Sequence, residues 1–242
     1  MTDAIARAQT ASTAAAISVE GLQAWYGESH ILHGITMHVN KGEVVTLLGR
    51  NGAGKTTTLR SIMGLLGKRT GSVNIQGQQT ISLPARRIAR LGIGYVPEER
   101  GIFSELSVEE NLLLPPKLKD GGFSLEQIFT LFPNLKSRLQ SQGTKLSGGE
   151  QQMLAMARVL RTGADVLLLD EPTEGLAPVI VQQIEAVLRM LKESGFTIIL
   201  VEQNLRFAAS LADRHYVVEQ GKVVAEADGS ENIDTLQHYL GV

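Results

Sequence analysis

Between Val44 and Thr57 the chain runs from a short apolar stretch, Val44 to Leu48, straight into Gly49-Arg50-Asn51-Gly52-Ala53-Gly54-Lys55-Thr56. This segment fits the phosphate-binding loop pattern in full, in the strand-before and helix-after setting that such a loop requires. The residue types follow from the chemistry. Glycines let main-chain N–H groups turn inward around phosphate oxygens, a helix opening near Lys55 adds the positive end of its dipole, and the Lys55 ammonium reaches the outer phosphates. Thr56 is placed to hold Mg2+, and Thr57 continues the nucleotide-facing turn. A chance match of a lysine-bearing glycine turn is a rare alternative, and the context argues against it.

Three further runs lack polar alternation, as strands covered on both faces do: Ile93 to Val96, Val166 to Leu169 and Thr197 to Val201. Helical patterns separate them. The clearest is Val179 to Ser194, where Ile180, Ile184, Val187, Leu188 and Leu191 share one face and Gly195 supplies a stop. The fold class is therefore α/β, with a mainly parallel sheet. Residues 17–49 predict antiparallel strands, with Asn40-Lys41-Gly42 between two β-rich runs, leading into the first buried strand. From Glu98 to Lys145 the pattern becomes helical pieces broken by Pro115-Pro116, Gly121-Gly122 and Pro133, which reads as a helical insertion. After Asp213, two short strands joined near Gln220-Gly221 and a small helix near Thr235 to Leu240 close the chain.

The run Val166 to Leu169 delivers Asp170 and Glu171 at its carboxyl end, where open α/β sheets bind ligands. An apolar run ending in acids is common, so the pair gains meaning only beside the phosphate loop. In that setting Asp170 is expected to partner Mg2+, directly or through water. Glu171 is expected to orient the attacking water or accept its proton. Leu146-Ser147-Gly148-Gly149-Glu150-Gln151-Gln152 opens another helical pattern, with Ser147 and Glu150 at capping-box spacing. A well-capped helix is the bland reading. The two glycines tilt the balance, because they strip side chains from a helix N-terminus and leave N–H groups open to an anion.

With these three motifs in this order, the chain resembles the ABC ATPase family over roughly residues 17–240, LSGGEQQ matching that family's signature sequence. The resemblance implies a P-loop NTPase core with an N-terminal antiparallel β subdomain and a helical subdomain, at about 98–162, inserted within a domain spanning 17–242. It also implies that ATP on one P-loop is closed over by Ser147, Gly148, Gly149 and Glu150 of a second cassette, identical or related. Tyr26 matches the adenine-stacking aromatic, with Trp25 as the neighbouring alternative. Two positions depart from the family pattern. Glu98 stands where glutamine is usual and adds negative charge near the γ-phosphate, where it is a candidate for catalysis or metal binding. Gln203 stands where histidine is usual, and it donates a hydrogen bond without becoming cationic. Glu174-Gly175-Leu176-Ala177 also replaces the usual Ser-Ala-Leu-Asp. YVPEERGIFSELSVEENL, DEPTEGLAPVIV, LVEQN and the ending HYLGV are similar to LivF-type subunits of branched-chain amino-acid importers. Subunits of urea and short-amide importers are similar too. The implied partners are membrane permease subunits and, indirectly, a solute-binding protein, with Glu98 to Leu114 as the expected docking surface. A weakly hydrolysing regulatory cassette is the reading that Glu98 and Gln203 favour, and ABC ATPases of translation or DNA repair are the other rival.

Composition narrows the remaining classes. The 242 residues carry a formal net charge of −2, so no basic footprint for nucleic acid is visible and no such partner is expected. No apolar run approaches the ~20 residues that span a bilayer. The resemblance implies a peripheral place, on the cytoplasmic face of the membrane. Residues 1–16, rich in Ala, Thr and Ser, read as a flexible tail. The absence of cysteine removes disulfides and thiolate metal sites.

Overall fold

The computed structural model describes residues 15–231 and 233–240. Strands β1 (Ala15–Tyr26) and β2 (Ser29–Asn40) pair antiparallel, with Tyr26 opposite Ser29. β3 (Val44–Leu48) leads to α1 (Lys55–Ile62), and β4 (Lys68–Ile75) and β5 (Gln78–Gln79) follow. β1, β2, β4 and β5 form a four-stranded antiparallel sheet in the order β2-β1-β4-β5. The reversal between β1 and β2 falls at Gly27-Glu28. Asn40-Lys41-Gly42 instead passes the chain from this sheet to the other, so β3 is not an antiparallel partner of β2. β1 begins at Ala15, which places Ala15 and Ala16 in the sheet rather than in the expected tail, whose remaining residues lie outside the described ones.

The second sheet takes β3 and, after α2 (Ala85–Ala89), the strands from β6 (Ile93–Val96) onward. Between β6 and the next strand lie α3 (Val108–Leu113), α4 (Leu125–Leu131), α5 (Pro133–Ser137), a 3-10 turn at Gly143–Lys145, and α6 (Gly148–Arg161). Then come β7 (Val166–Asp170), α7 (Pro178–Glu193), β8 (Thr197–Val201), α8 (Leu205–Leu211), β9 (Arg214–Glu219), β10 (Lys222–Asp228) and α9 (Ile233–Leu240). The order β10-β9-β3-β8-β7-β6 is parallel throughout except for the β9–β10 hairpin.

Alternation along β7 and β8 explains why their sequences look uniformly apolar. Val166 and Leu168, with Ile199 and Val201, enter a core shared with α1 and the antiparallel sheet. Leu167 and Leu169, with Ile198 and Leu200, enter a second core under α6 and α7. Each fully buried aliphatic side chain contributes about 1.5–3 kcal/mol, so both faces fix the strand register. This packing holds the carboxyl ends of β3, β6, β7 and β8 along one edge. Among the described residues no helix is long and apolar enough to cross a membrane.

Candidate nucleotide site

The phosphate loop leaves β3 at that edge. A Cβ on Gly49 would lie 2.3 Å from the Val218 carbonyl oxygen, so no side chain fits there. Gly54 caps α1 with φ at 109°, and a Cβ there would meet Leu32 at 2.8 Å. α1 has no side-chain cap and no acidic residue in its first turn, which leaves its opening amides without side-chain acceptors. Lys55 is buried, and its Nζ donates to the Gly49 carbonyl at 2.8 Å and the Arg50 carbonyl at 3.2 Å. Ala53 is buried beneath the loop, whereas Arg50, Asn51 and Gly52 are exposed on it.

The end of β7 meets this loop. Thr56 Oγ1 donates to Asp170 Oδ1 at 2.9 Å, and the Tyr95 hydroxyl donates to Asp170 Oδ2 at 2.9 Å. Asp170 is fully buried, and burial pushes its carboxyl above the usual range. The Thr56 and Tyr95 hydrogen bonds oppose that rise, while the charges of Glu171 and Glu98 add to it. Glu171 has a left-handed backbone, φ 46°, and its N–H donates to the Val201 carbonyl at 2.9 Å. Its carboxylate accepts from Gln203 Nε2 at 2.7 Å and lies 3.7 Å from Lys55 Nζ. Gln203 thus occupies a hydrogen-bonding place that needs no cationic side chain.

Tyr26, Asn51, Gly52, Gly54, Lys55, Thr56, Thr57, Glu98, Glu171 and Gln203 line one cavity of ≈ 420 Å³, together with Ile31 and Glu174. The Trp25 ring is stacked on His30 at 4.3 Å and faces the Lys68 ammonium at 5.2 Å, so its π-surface is already used. Tyr26, 43% exposed, keeps a free face on the cavity. Glu174, which the sequence showed only as a departure, has its carboxyl pushed up to about 7 by a hydrogen bond to Glu171 and by that residue's charge. Two more residues escaped sequence reasoning. Tyr95 braces Asp170, and buried Glu202 accepts from the Thr173 N–H at 3.2 Å and hydroxyl at 2.7 Å. Burial raises the Glu202 carboxyl above its ordinary range, against those hydrogen bonds. The apolar run leading to Val201-Glu202-Gln203 was the one signal that could have flagged Glu202.

The donor set suits Mg2+. A threonine hydroxyl beside an aspartate carboxylate supplies hard oxygen ligands, as this ion takes alongside phosphate and water. Among the described residues no group of three or more His, Cys, Asp or Glu forms a protein-only metal cage.

Ser147, Gly148, Gly149 and Glu150 stand apart, and none of them lines the cavity. Ser147 caps α6 in a capping box: its Oγ accepts from the Glu150 N–H at 3.3 Å, and Glu150 Oε2 accepts from the Ser147 N–H at 2.8 Å. Arg138 lies 3.3 Å from Glu150, and the Ser147 bonds hold that carboxyl below its ordinary range despite partial burial. A Cβ on Gly149 would sit 2.8 Å from Ile180 of α7. In the expected docking stretch, Glu110 is tied into the cap of α3 with Ser107, and Glu109 accepts from Gln140 at 2.8 Å. Phe103, Leu113 and Leu114 of the same stretch are exposed.

Comparison with known proteins agrees with this geometry. The family model described as ABC transporter matches residues 32–174. The high-affinity branched-chain amino acid transport ATP-binding protein BraG of Pseudomonas aeruginosa is 42% identical, covering 93% of this chain and 99% of its own. The lipopolysaccharide export system ATP-binding protein LptB of Escherichia coli is 34% identical, covering 90% and 92%. The ATP-binding cassette MJ0796, solved as a dimer bound to ADP and Pi, superposes with a TM-score of 0.79 at 25% identity, over 89% of this chain and 100% of that one. A phosphate loop and a carboxylate strand end meeting in one cavity, a separate capped glycine turn and these matches lead to one assignment: the chain belongs to the ABC transporter family, as an ATP-binding cassette with ATPase activity.

Proposed function

We propose that the chain powers an importer of branched-chain amino acids or of a related small solute such as urea or a short amide. In this reading it works at the cytoplasmic face of the membrane, paired with a second cassette and docked on permease subunits that receive solute from a binding protein. The observation that carries it is the meeting of Lys55, Thr56, Asp170, Glu171 and Gln203 at one sheet edge. The higher identity to BraG than to LptB supports import over export.

Lys55 exchanges its carbonyl partners for the outer phosphates, while the α1 amides hold the chain of phosphates in line. Thr56 and Asp170 would hold Mg2+, which when bound neutralises charge on the triphosphate. Glu98 faces the same cavity. Glu171, fixed from one side by Gln203, takes the proton of the attacking water or orients it. That hydrogen bond supports useful turnover over the weak regulatory reading. Tyr26 offers its free face to adenine. Because Ser147, Gly148 and Gly149 lie outside the cavity, they serve a nucleotide carried by the other cassette. ATP, with its γ-phosphate, joins the two surfaces, and ADP cannot.

Replacing Glu171 with Gln tests the core of the reading. Hydrolysis should fall by on the order of 10²–10⁴-fold while ATP stays bound in a closed dimer; turnover at the parental rate would remove Glu171 from the chemistry. Uptake into vesicles carrying the permeases, with leucine and urea as competing solutes, tests the cargo. Cross-links from Phe103 or Leu113 to the permeases test the docking stretch, and contacts only elsewhere would refute it.

A further inference from the structure

The turn after β6 sends two ionic side chains in opposite directions. Glu98 lines the nucleotide cavity. Arg100, two residues on, reaches the first turn of α6: its Nη1 donates to Gln151 Oε1 at 2.9 Å, and a Cβ on Gly148 would lie 3.1 Å from its Nη2. The turn itself is fastened. The Arg100 N–H donates to the Pro97 carbonyl at 2.9 Å, the Gly101 N–H to the Glu99 carbonyl at 2.8 Å, and Arg100 is held at a φ of 65°. Arg60 of α1 grips Glu99 at 3.1 Å from the phosphate-loop side, and Arg158 of α6 donates to the Gly101 carbonyl from the other. Gln151 is anchored as well, because its Nε2 donates to the Gly143 carbonyl at 3.1 Å and the Leu146 carbonyl at 3.3 Å. Its Oε1 is thereby aimed at Arg100.

Charge accounting separates Arg100 from its neighbours. Arg60 is paired with Glu99 and Arg138 with Glu150, but among the described residues Arg100 makes no ion pair. Its partner is a neutral amide oxygen, so the guanidinium keeps an uncompensated charge and spare N–H donors beside the signature glycine. The one carboxylate in that turn, Glu150, would repel an incoming phosphate, and Arg138 offsets it only from the edge of the turn.

We propose that Arg100 is a γ-phosphate-binding residue acting in trans: its guanidinium supplements the Gly148 and Gly149 amides when a second cassette's ATP is brought to α6. The proposal rests on the two-cassette reading above. It makes the turn from Pro97 to Gly101 a link between two nucleotides, its own through Glu98 and the partner's through Arg100. A Cβ at Gly148 would press on the guanidinium, which would have to give by a few tenths of an ångström.

The test compares E171Q, E171Q/R100Q and E171Q/R100K, measuring ATP affinity at dilute protein and MgATP-driven dimerisation by sedimentation. Gln keeps a hydrogen bond to Gln151 without charge, and Lys keeps charge without the planar fork. Affinity of the dilute chain for ATP should stay within twofold in all three. Dimerisation should weaken at least tenfold in R100Q and recover to within threefold of the E171Q parent in R100K. Parental dimerisation in R100Q, or equal loss in R100K and R100Q, overturns the role of Arg100 alone. Should R100Q fail to fold, R100K decides, a tenfold loss counting against the proposal. An E171Q chain that stays monomeric with MgATP, both alone and mixed with the related cassette of its transporter, overturns the sandwich itself, and Arg100 with it.

Discussion

Two helices in this chain begin on glycine-bearing turns, and their first turns are finished differently. α1 opens at Gly54 without a side-chain cap or an acidic residue, and buried Lys55 stands behind its amides. α6 opens under a complete capping box, in which Ser147 and Glu150 satisfy each other and leave the Gly148 and Gly149 amides over. An uncapped helix end with a buried cation is incomplete until an anion arrives, so it holds phosphate by itself. A capped end with a carboxylate in its first turn is stable alone and adds only to a phosphate delivered from outside. The single chain's affinity for ATP should therefore answer to α1, and closure to α6.

The largest expected effect is at α1. Replacing Lys55 with Ala removes charge-assisted contacts of about 3 kcal/mol and should weaken ATP binding by the single chain ~100-fold by calorimetry. A loss under threefold would break the contrast. Next comes Ser147→Ala, which should cost about 1 kcal/mol of stability, a fall of roughly 2–4 °C in Tm, with the single chain's ATP affinity unchanged. A tenfold change in that affinity would erase the division between the two ends. Tyr26→Ala should weaken ATP binding about fivefold through lost stacking, and Trp25→Ala should do less because His30 and Lys68 already cover that ring. The reverse ranking would move adenine to Trp25.

The smallest effect is one of pH. Folding raises the Glu174 carboxyl to about 7, through its hydrogen bond to Glu171 and then that residue's charge. A raised carboxyl binds its proton more tightly in the folded chain, so stability is lost as pH rises from the ordinary carboxylate range through about 7. Because Glu174 is exposed, screening keeps this well under ~1 kcal/mol. Melting of nucleotide-free Glu174→Gln should gain on the parent between pH 5 and pH 8. A gap that does not change with pH would refute the shift.

How far these features were legible differs between the two ends for physical reasons. The phosphate loop and four of the five parallel strands show in sequence because local pattern and burial coincide: both faces of β7 and β8 are apolar, and both are covered. β4 was silent, since Val73 and Ile75 are its buried side chains among Lys, Arg, Thr, Gly, Ser and Asn. The spacing that marks Ser147 and Glu150 recurs at Ser107 with Glu110 and Ser124 with Gln127, and each forms a capping box. Those two carried the same information but were masked by the prolines and glycines around them. Tyr95 meets Asp170 across 75 residues and Thr173 meets Glu202 across 29, contacts that only tertiary packing creates. Trp25 and Tyr26 are adjacent on β1, where successive side chains point to opposite faces, and a sequence cannot say which face holds the nucleotide.

The parallel sheet gathers the chemistry along the carboxyl ends of its strands, and this leaves the opposite rim to plain connections. Glu193 ends α7 there, exposed, just before Gly195 turns the chain into β8 with nothing within 4 Å of its added Cβ. Since the chain contains no native thiol, a fluorophore attached through Glu193→Cys would be the only label on the molecule. Such a probe would follow movement between cassettes optically while sitting a full strand length from the phosphates.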